Sequence, residues 1–197
     1  YDIPKKLEEI ILSKKYNNIK IDTKKIYKNI ELEFWPKEIS NALLKIQENQ
    51  FDYINKDLRS IILNNINVGE GILSSIISIT KKIYPTYIND KKTIEEVFNL
   101  FVRRYYMYCT FFKKDLKIEN LVIFNGRFAS SKAIESGISK HNQKTKLFYY
   151  ERSHNLYRYT LKPYKVHDRK KIINEINKHW IYCNEQNEAS KIAETYF

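Results

Sequence analysis

Glycine and proline are scarce in this chain, four of each in 197 residues, so each is a candidate for a turn or a close approach of two segments. Cysteine is scarcer still. Cys109 and Cys183 lie 74 residues apart, with neither a paired-cysteine nor a Cys/His spacing, which leaves no disulfide framework and no metal motif. Both read as reduced thiols. No run of 18 apolar residues exists, so nothing in the sequence reads as a bilayer-spanning helix. There is no GxSxG nucleophile elbow, no Walker loop and no GxGxxG fingerprint, which removes serine hydrolases and the two commonest nucleotide-binding loops. Acidic side chains are also outnumbered, 23 against 35 Lys and Arg, for a net charge of +12. Such an excess favours nucleic acid, an anionic membrane or phosphorylated substrates. The lysines are dispersed, however, with no block of five like charges, so most of the excess reads as solvated surface.

What is present is enough for one domain with a full core, at 43% hydrophobic residues. The chain is organised around residues 121–151, LVIFNGRFASSKAIESGISKHNQKTKLFYYE. LVIF is a short apolar run of the kind a covered parallel strand shows. Asn125-Gly126-Arg127 then makes a turn, a helix is expected from Ser130 or Ser131 to a terminator at Gly137, and residues 146–150 form the next strand, ending at Glu151. In open α/β sheets ligands sit outside the carboxyl ends of strands, so these two strand ends mark the expected site.

Upstream, residues 4–15 fit a helix with Leu7, Ile10 and Ile11 on one face, and residues 18–33 are ambiguous. Pro36 opens a helix carrying Ile39, Leu43, Leu44 and Ile46; another is expected over 53–63. Asn67-Val68-Gly69-Glu70-Gly71 feeds a helix whose stripe runs Ile72, Leu73, Ile76, Ile77 and Ile83. Such a turn either offers backbone N–H groups to an anion or is a plain turn. After Pro85 and a polar loop, residues 93–112 make the longest helix, with Ile94, Val97, Phe98, Phe101, Tyr105, Tyr108 and Phe112 inward, expected to cover the sheet. Beyond Glu151 a Tyr- and Arg-rich loop of about fifteen residues crosses the strand ends, a length usual for functional loops. A helix over 169–182 and a last one from near Glu185 complete the reading. Residues 151–171 hold seven basic side chains against two acidic ones.

The candidate chemistry sits at those strand ends. Arg127 can hold a phosphate or carboxylate with two parallel hydrogen bonds, or pin its loop to Glu151. Glu151 can serve as a general base toward a hydroxyl, or balance Arg127 and Arg152. His154 and His167 bracket the basic loop, where either can bind phosphate, move a proton, or do neither. The first and last residues, Tyr1-Asp2-Ile3-Pro4 and Ala193-Glu194-Thr195-Tyr196-Phe197, fall inside helical patterns, which leads us to expect a segment of a longer polypeptide with a strand upstream and a domain downstream.

FNGRFASSKAIESGI, a strand ending in E-R-S, and R-Y-x-L-K-P-x-x-x-H-D-R together resemble the N-terminal half of bacterial glycosyltransferases that build capsule, lipopolysaccharide and other surface polysaccharides. N-V-G-E-G-I-L-S-S and the closing A-E-T-Y-F are similar to segments of the same group, so the resemblance covers residues 67–197; residues 1–66 resemble nothing we can place. It implies one half of a GT-B enzyme: a Rossmann-like α/β fold with a mainly parallel sheet flanked by helices, residues 67–182, preceded by a helical part, 1–66, and followed by a helix, 183–197, leading to a second domain. By the same resemblance Glu151 is the catalytic residue, and Asn125, Gly126, Arg127, Arg152, His154, His167, Gly69 and Gly71 bind substrate. No metal or resident cofactor is expected; the nucleotide-sugar donor belongs with the C-terminal domain, and the acceptor is a glycan or lipid-linked sugar. The implied location is the cytoplasm or the inner face of the cell membrane, with peripheral membrane association. Two rivals remain: a basic nucleic-acid-binding module, since Tyr and Arg alternate through 149–164, and a non-catalytic glycan-recognition domain.

Overall fold

A computed structural model describes residues 31–113, 118–141, 144–152 and 159–182. The helices expected over 4–15 and from Glu185, and the residues His154 and Cys183, lie outside the described residues. The described elements are α1 (Lys37–Glu48), α2 (Asn55–Arg59), β1 (Ile62–Leu63), β2 (Ile66–Asn67), α3 (Gly69–Thr80), α4 (Tyr87–Phe112), β3 (Asn120–Phe124), α5 (Ala129–Lys140), β4 (Lys146–Arg152), β5 (Tyr159–Lys162) and α6 (Arg169–Tyr182). The chain is mixed α/β and rich in helix.

Helical periodicity explains the core. Ile39, Leu43 and Ile46 of α1, Leu58 of α2, Ile72 and Ile76 of α3, and Ile94, Phe98, Phe101 and Tyr105 of α4 all turn inward into one cluster. Trp35 stacks on Phe98 with ring centres 6.3 Å apart. Where the expected helix over 53–63 should run, the structure has only the short α2 followed by a hairpin. Asn64 and Asn65 sit at φ 51° and 63° between β1 and β2, the left-handed pair that a two-residue hairpin turn requires and that asparagine tolerates better than other non-glycine residues. The tip is pinned to α5. Asn64 Nδ2 reaches Ser136 Oγ at 3.1 Å and the Tyr105 hydroxyl at 3.0 Å, and Ser139 Oγ donates to Asn64 O at 2.5 Å.

Helix α3 stops at Thr80 because Lys81 takes a left-handed conformation (φ 61°), so Ile83 leaves the expected stripe and faces solvent. Helix α4 starts at Tyr87, six residues before the expected Thr93, and kinks at Asp90. That carboxylate accepts from Lys82 Nζ at 2.6 Å and from the Thr86 N–H at 3.3 Å, drawing the first turn away from ideal helix.

The strand–helix–strand unit is present, and its strands are parallel: Leu121 pairs with Leu147 and Phe124 with Tyr150. Two details differ from expectation. Helix α5 begins at Ala129, before Ser130, and no side chain of its own caps it; Ser75 of α3 accepts from the Ala129 N–H at 2.9 Å instead. Nor does Gly137 end the helix. It lies within it, where an added Cβ would stand 3.0 Å from Cβ of Tyr108, and the small face Ala129, Ala133, Ser136, Gly137 lets α4 and α5 approach closely.

The sheet departs most from a Rossmann-like arrangement. Its order is β3-β4-β5, with β4 and β5 antiparallel, so the long loop expected after Glu151 contains a third strand. Helix α4 packs chiefly against α5 and not on the sheet. Ile123 and Tyr149 bury the face under α5, while Val122 and Phe124 on the other face are 53% and 44% exposed, as are Tyr159 and Leu161 on β5 at comparable levels. Among the described residues, helices therefore cover one face of the sheet and leave the other bare.

Candidate functional site

Strand β3 ends in two left-handed residues, Asn125 (φ 60°) and Gly126 (φ 77°). Glycine is required at the second on two counts: its backbone conformation, and the Tyr149 ring, which an added Cβ would meet at 2.6 Å. The turn keeps Asn125 on the ladder, its N–H donating to Tyr150 O at 2.8 Å, and tucks its side chain inside at 2% exposure. There Asn125 Nδ2 donates to Oε2 of Glu151, the residue next to Tyr150 on β4. Asn125 Oδ1 is buried and has no hydrogen-bond partner among the described residues, an acceptor left open beside the carboxylate.

His167 arrives from the other side. Its Nε2 stands 3.6 Å from the same Oε2 of Glu151, and both side chains are partly exposed. Glu151 also lines one end of a groove of about 450 Å³ between β4, β5 and α6. Thr160, Lys162, Tyr164 and Glu175 supply its polar wall; Val166, Ile172 and Ile176 supply the apolar one. Lys162 and Glu175 are ion-paired across it, which holds the Lys162 pKa above the usual lysine value. A larger hollow, about 660 Å³, runs along α4 from Lys91 to Arg103, but its described wall comes from that one helix and brings no groups together from different elements.

Of the residues singled out in the sequence, Asn125, Gly126, Glu151 and His167 thus converge. Arg127 is exposed and lies over the Phe128 ring, 4.7 Å from its centre, and it makes no ion pair with Glu151. Arg152 is exposed at the end of β4, its backbone paired with Tyr159. Gly69 and Gly71 lie elsewhere, at the start of α3. An added Cβ on Gly69 would fall 1.6 Å from Leu58 O, and one on Gly71 would fall 2.3 Å from Lys132 Cγ. Close packing against α2 and α5 therefore accounts for both.

A buried charged cluster beneath the site escaped the sequence reading. Glu135 of α5 accepts from Lys132 Nζ at 3.3 Å and from Lys165 Nζ at 3.1 Å through Oε2, and from the Tyr149 hydroxyl at 3.1 Å through Oε1. Burial lowers the Lys132 pKa to about 8; Glu135 opposes that shift and the second ammonium, Lys165, adds to it. Lys165 moves the other way. Burial works against its charge, but the Lys132 amine and the Glu135 carboxylate outweigh it and raise its pKa. Two amines sharing one carboxylate resist the second proton, and the deeper one, Lys132, gives it up first. Burial and Glu135 together raise the Tyr149 pKa. The available signal was an inward-facing Lys132 on the same stripe as Ala129, Ala133 and Ser136. Because Lys165 also packs on Gly126 and lies two residues before His167, this cluster ties both loops of the site to α5.

No cluster of metal-ligating side chains occurs among the described residues. None of the described helices is long and apolar enough to cross a membrane. In comparisons with known proteins, the chain matches no family model, no curated protein and no solved structure.

Proposed function

We propose that this chain forms the acceptor side of a glycosyltransferase that moves a sugar from a nucleotide-sugar donor to a growing surface glycan. The observation that carries this reading is the Glu151 carboxylate near the end of β4, held by Asn125 at the end of the parallel strand β3, facing His167 and lining the groove between β4, β5 and α6. In this mechanism Glu151 takes the proton of the acceptor hydroxyl as its oxygen attacks the anomeric carbon, and the nucleoside diphosphate departs with the bonding electrons. Asn125, buried beneath the turn, orients the carboxylate through its Nδ2. His167 lies close enough to pass the proton to solvent. Arg127, exposed on the neighbouring loop and free of Glu151, is available to an anionic group of either substrate. The donor sugar is assigned to a domain outside this chain, in keeping with the F-N-G-R resemblance.

One further observation favours a second reading. Phe124, Tyr150 and Tyr159 form a row on the bare sheet face, with successive ring centres 5.2 and 6.5 Å apart. Such a row stacks sugar rings, and in a protein of net charge +12 it can equally stack the bases of a single-stranded nucleic acid.

The test is nucleotide release from a panel of nucleotide sugars by the full-length protein, with a melting curve for each variant. Glu151→Gln keeps volume and hydrogen bonds but removes the base, so it should leave the melting temperature unchanged and lower turnover about 100-fold or more. Near-normal turnover would take Glu151 out of the mechanism. Steep, salt-sensitive binding of single-stranded RNA that is lost in Tyr159→Ala would instead favour the nucleic-acid reading.

A further inference from the structure

Away from the residues of the candidate site, two adjoining loops form a platform held together by hydrogen bonds between them. Residues 50–55 and 83–88 run side by side. The Ile54 N–H donates to Pro85 O at 3.2 Å, the Ile88 N–H to Gln50 O at 2.9 Å, and Asn55 Nδ2 to Ile83 O at 3.1 Å, with a bridge between Tyr53 and Thr86. From this fixed base Phe51, Tyr53, Ile83, Tyr84 and Ile88 project outward, 72%, 59%, 67%, 61% and 47% exposed. The rings of Tyr53 and Tyr84 lie 5.1 Å apart, so the cluster is continuous across the two loops. Large apolar side chains gathered in this way mark an interaction surface, unlike singly scattered ones.

The rim decides which surface. Lys56, Lys81, Lys82, Lys91 and Lys92 are all exposed around the platform. Of the nearby acids, Asp90 is buried and paired with Lys82 at 2.6 Å and Asp57 is paired with Lys45 at 2.7 Å, which leaves Glu48 and Asp52 exposed against the five lysines. An apolar and tyrosine-tipped centre within a cationic rim is complementary to a layered partner: hydrocarbon within, anionic head groups above. We propose that this platform docks on the surface of an anionic lipid bilayer. Phe51 and Ile83 enter the acyl boundary, Tyr53 and Tyr84 keep their hydroxyls at head-group level, and the lysine stems extend along the interface with their ammonium groups on lipid phosphates. The hydrogen-bonded loops are already ordered, so docking fixes little further backbone.

The experiment is co-sedimentation of the full chain with vesicles of phosphatidylcholine alone and of phosphatidylcholine mixed with phosphatidylglycerol. The protein should bind the mixed vesicles and not the neutral ones. Ile83→Ser combined with Tyr84→Ser keeps every charge, so it should weaken that binding by about tenfold or more while leaving the melting temperature unchanged. A Phe51→Trp reporter should shift its emission to the blue on mixed vesicles only. Failure to bind mixed vesicles overturns the proposal, as does equal binding by the double variant, which would mean that net charge alone drives adsorption. A lower melting temperature in the double variant would also overturn it by showing the platform packed within the protein. So would a dimer that the double substitution dissolves, which would assign the platform to a second copy of the chain.

Discussion

Phe98 and Phe124 are both phenylalanines in regular secondary structure, yet Phe98 is fully buried and Phe124 is 44% exposed. The contrast holds for the regions around them. From Trp35 to Ala133 the helices α1 to α5 and the β1–β2 hairpin close over one core, and even the hairpin tip and the first N–H of α5 find partners in other elements. Among the described residues the sheet is covered on one face, bare on the other, and bordered by a groove that Glu151 lines, with His167 beside that carboxylate. Stability is concentrated in the helical part, and the groups able to meet a ligand are concentrated on the sheet. Burial that closes a core also closes it to substrates, so a division of this kind lets a site change without loss of the fold.

Truncation tests that division with the largest expected effect. Phe98→Ala removes a ring with no exposure from a close-packed core and should cost about 3–5 kcal/mol in denaturant unfolding. The same change at Phe124 should cost under about 1 kcal/mol, because much of that ring is already in water. Equal losses would mean that the sheet face is covered in solution and would end the comparison.

Glu135 lies on the seam between the two regions, joining α5 to Tyr149 of the sheet and Lys165 of the loop that carries His167. Glu135→Gln keeps the shape but leaves two ammonium groups around a neutral amide, a loss of about 3 kcal/mol. Most of it should return in the double variant with Lys132→Met, which removes the deeper charge. If the double variant is no more stable than Glu135→Gln, the lysines are not the source of the cost.

How much of this was legible follows from which signals are local. LVIF, the Asn125-Gly126 turn and the second strand ending at Glu151 announce a parallel pair, and Asn125, Glu151 and His167 do meet. Helix stripes on α1 and α4 were equally plain, since 3.6-residue periodicity needs only one segment to be read. What failed depended on partners distant in sequence. Ser75 caps α5 from 54 residues away, which is why Ser130 and Ser131 misled. Gly137 serves contact with Tyr108, a role indistinguishable in sequence from a helix stop. Strand β5 lies in a stretch rich in Arg and Tyr whose pairing with β4 shows only once β4 is placed. Gly69 and Gly71 looked like an anion-binding turn because close packing and ligand approach both call for the same missing side chain.

The smallest expected effect is a pH dependence, and it concerns the same seam. In the folded chain Lys132 has a pKa of about 8, below the 10.5 of a free lysine, because burial and Lys165 disfavour its charge. Between those values the unfolded chain binds more protons than the folded one, so Lys132 makes stability rise with pH. Its penalty is fully present below about 8 and has gone by the free-lysine value. Lys165 and Tyr149 are shifted upward, so their contributions are present below their ordinary values of 10.5 and 10.0 and decline above them. Wild type should therefore gain on Lys132→Met as pH climbs from about 8 toward 10.5, since Tyr149, held by burial and Glu135 in both proteins, cancels in the difference. Melting temperatures of the two proteins across that range measure the difference directly, cancelling the many lysines they share. Parallel curves would show that Lys132 carries no strained charge and that Glu135 balances both amines at once.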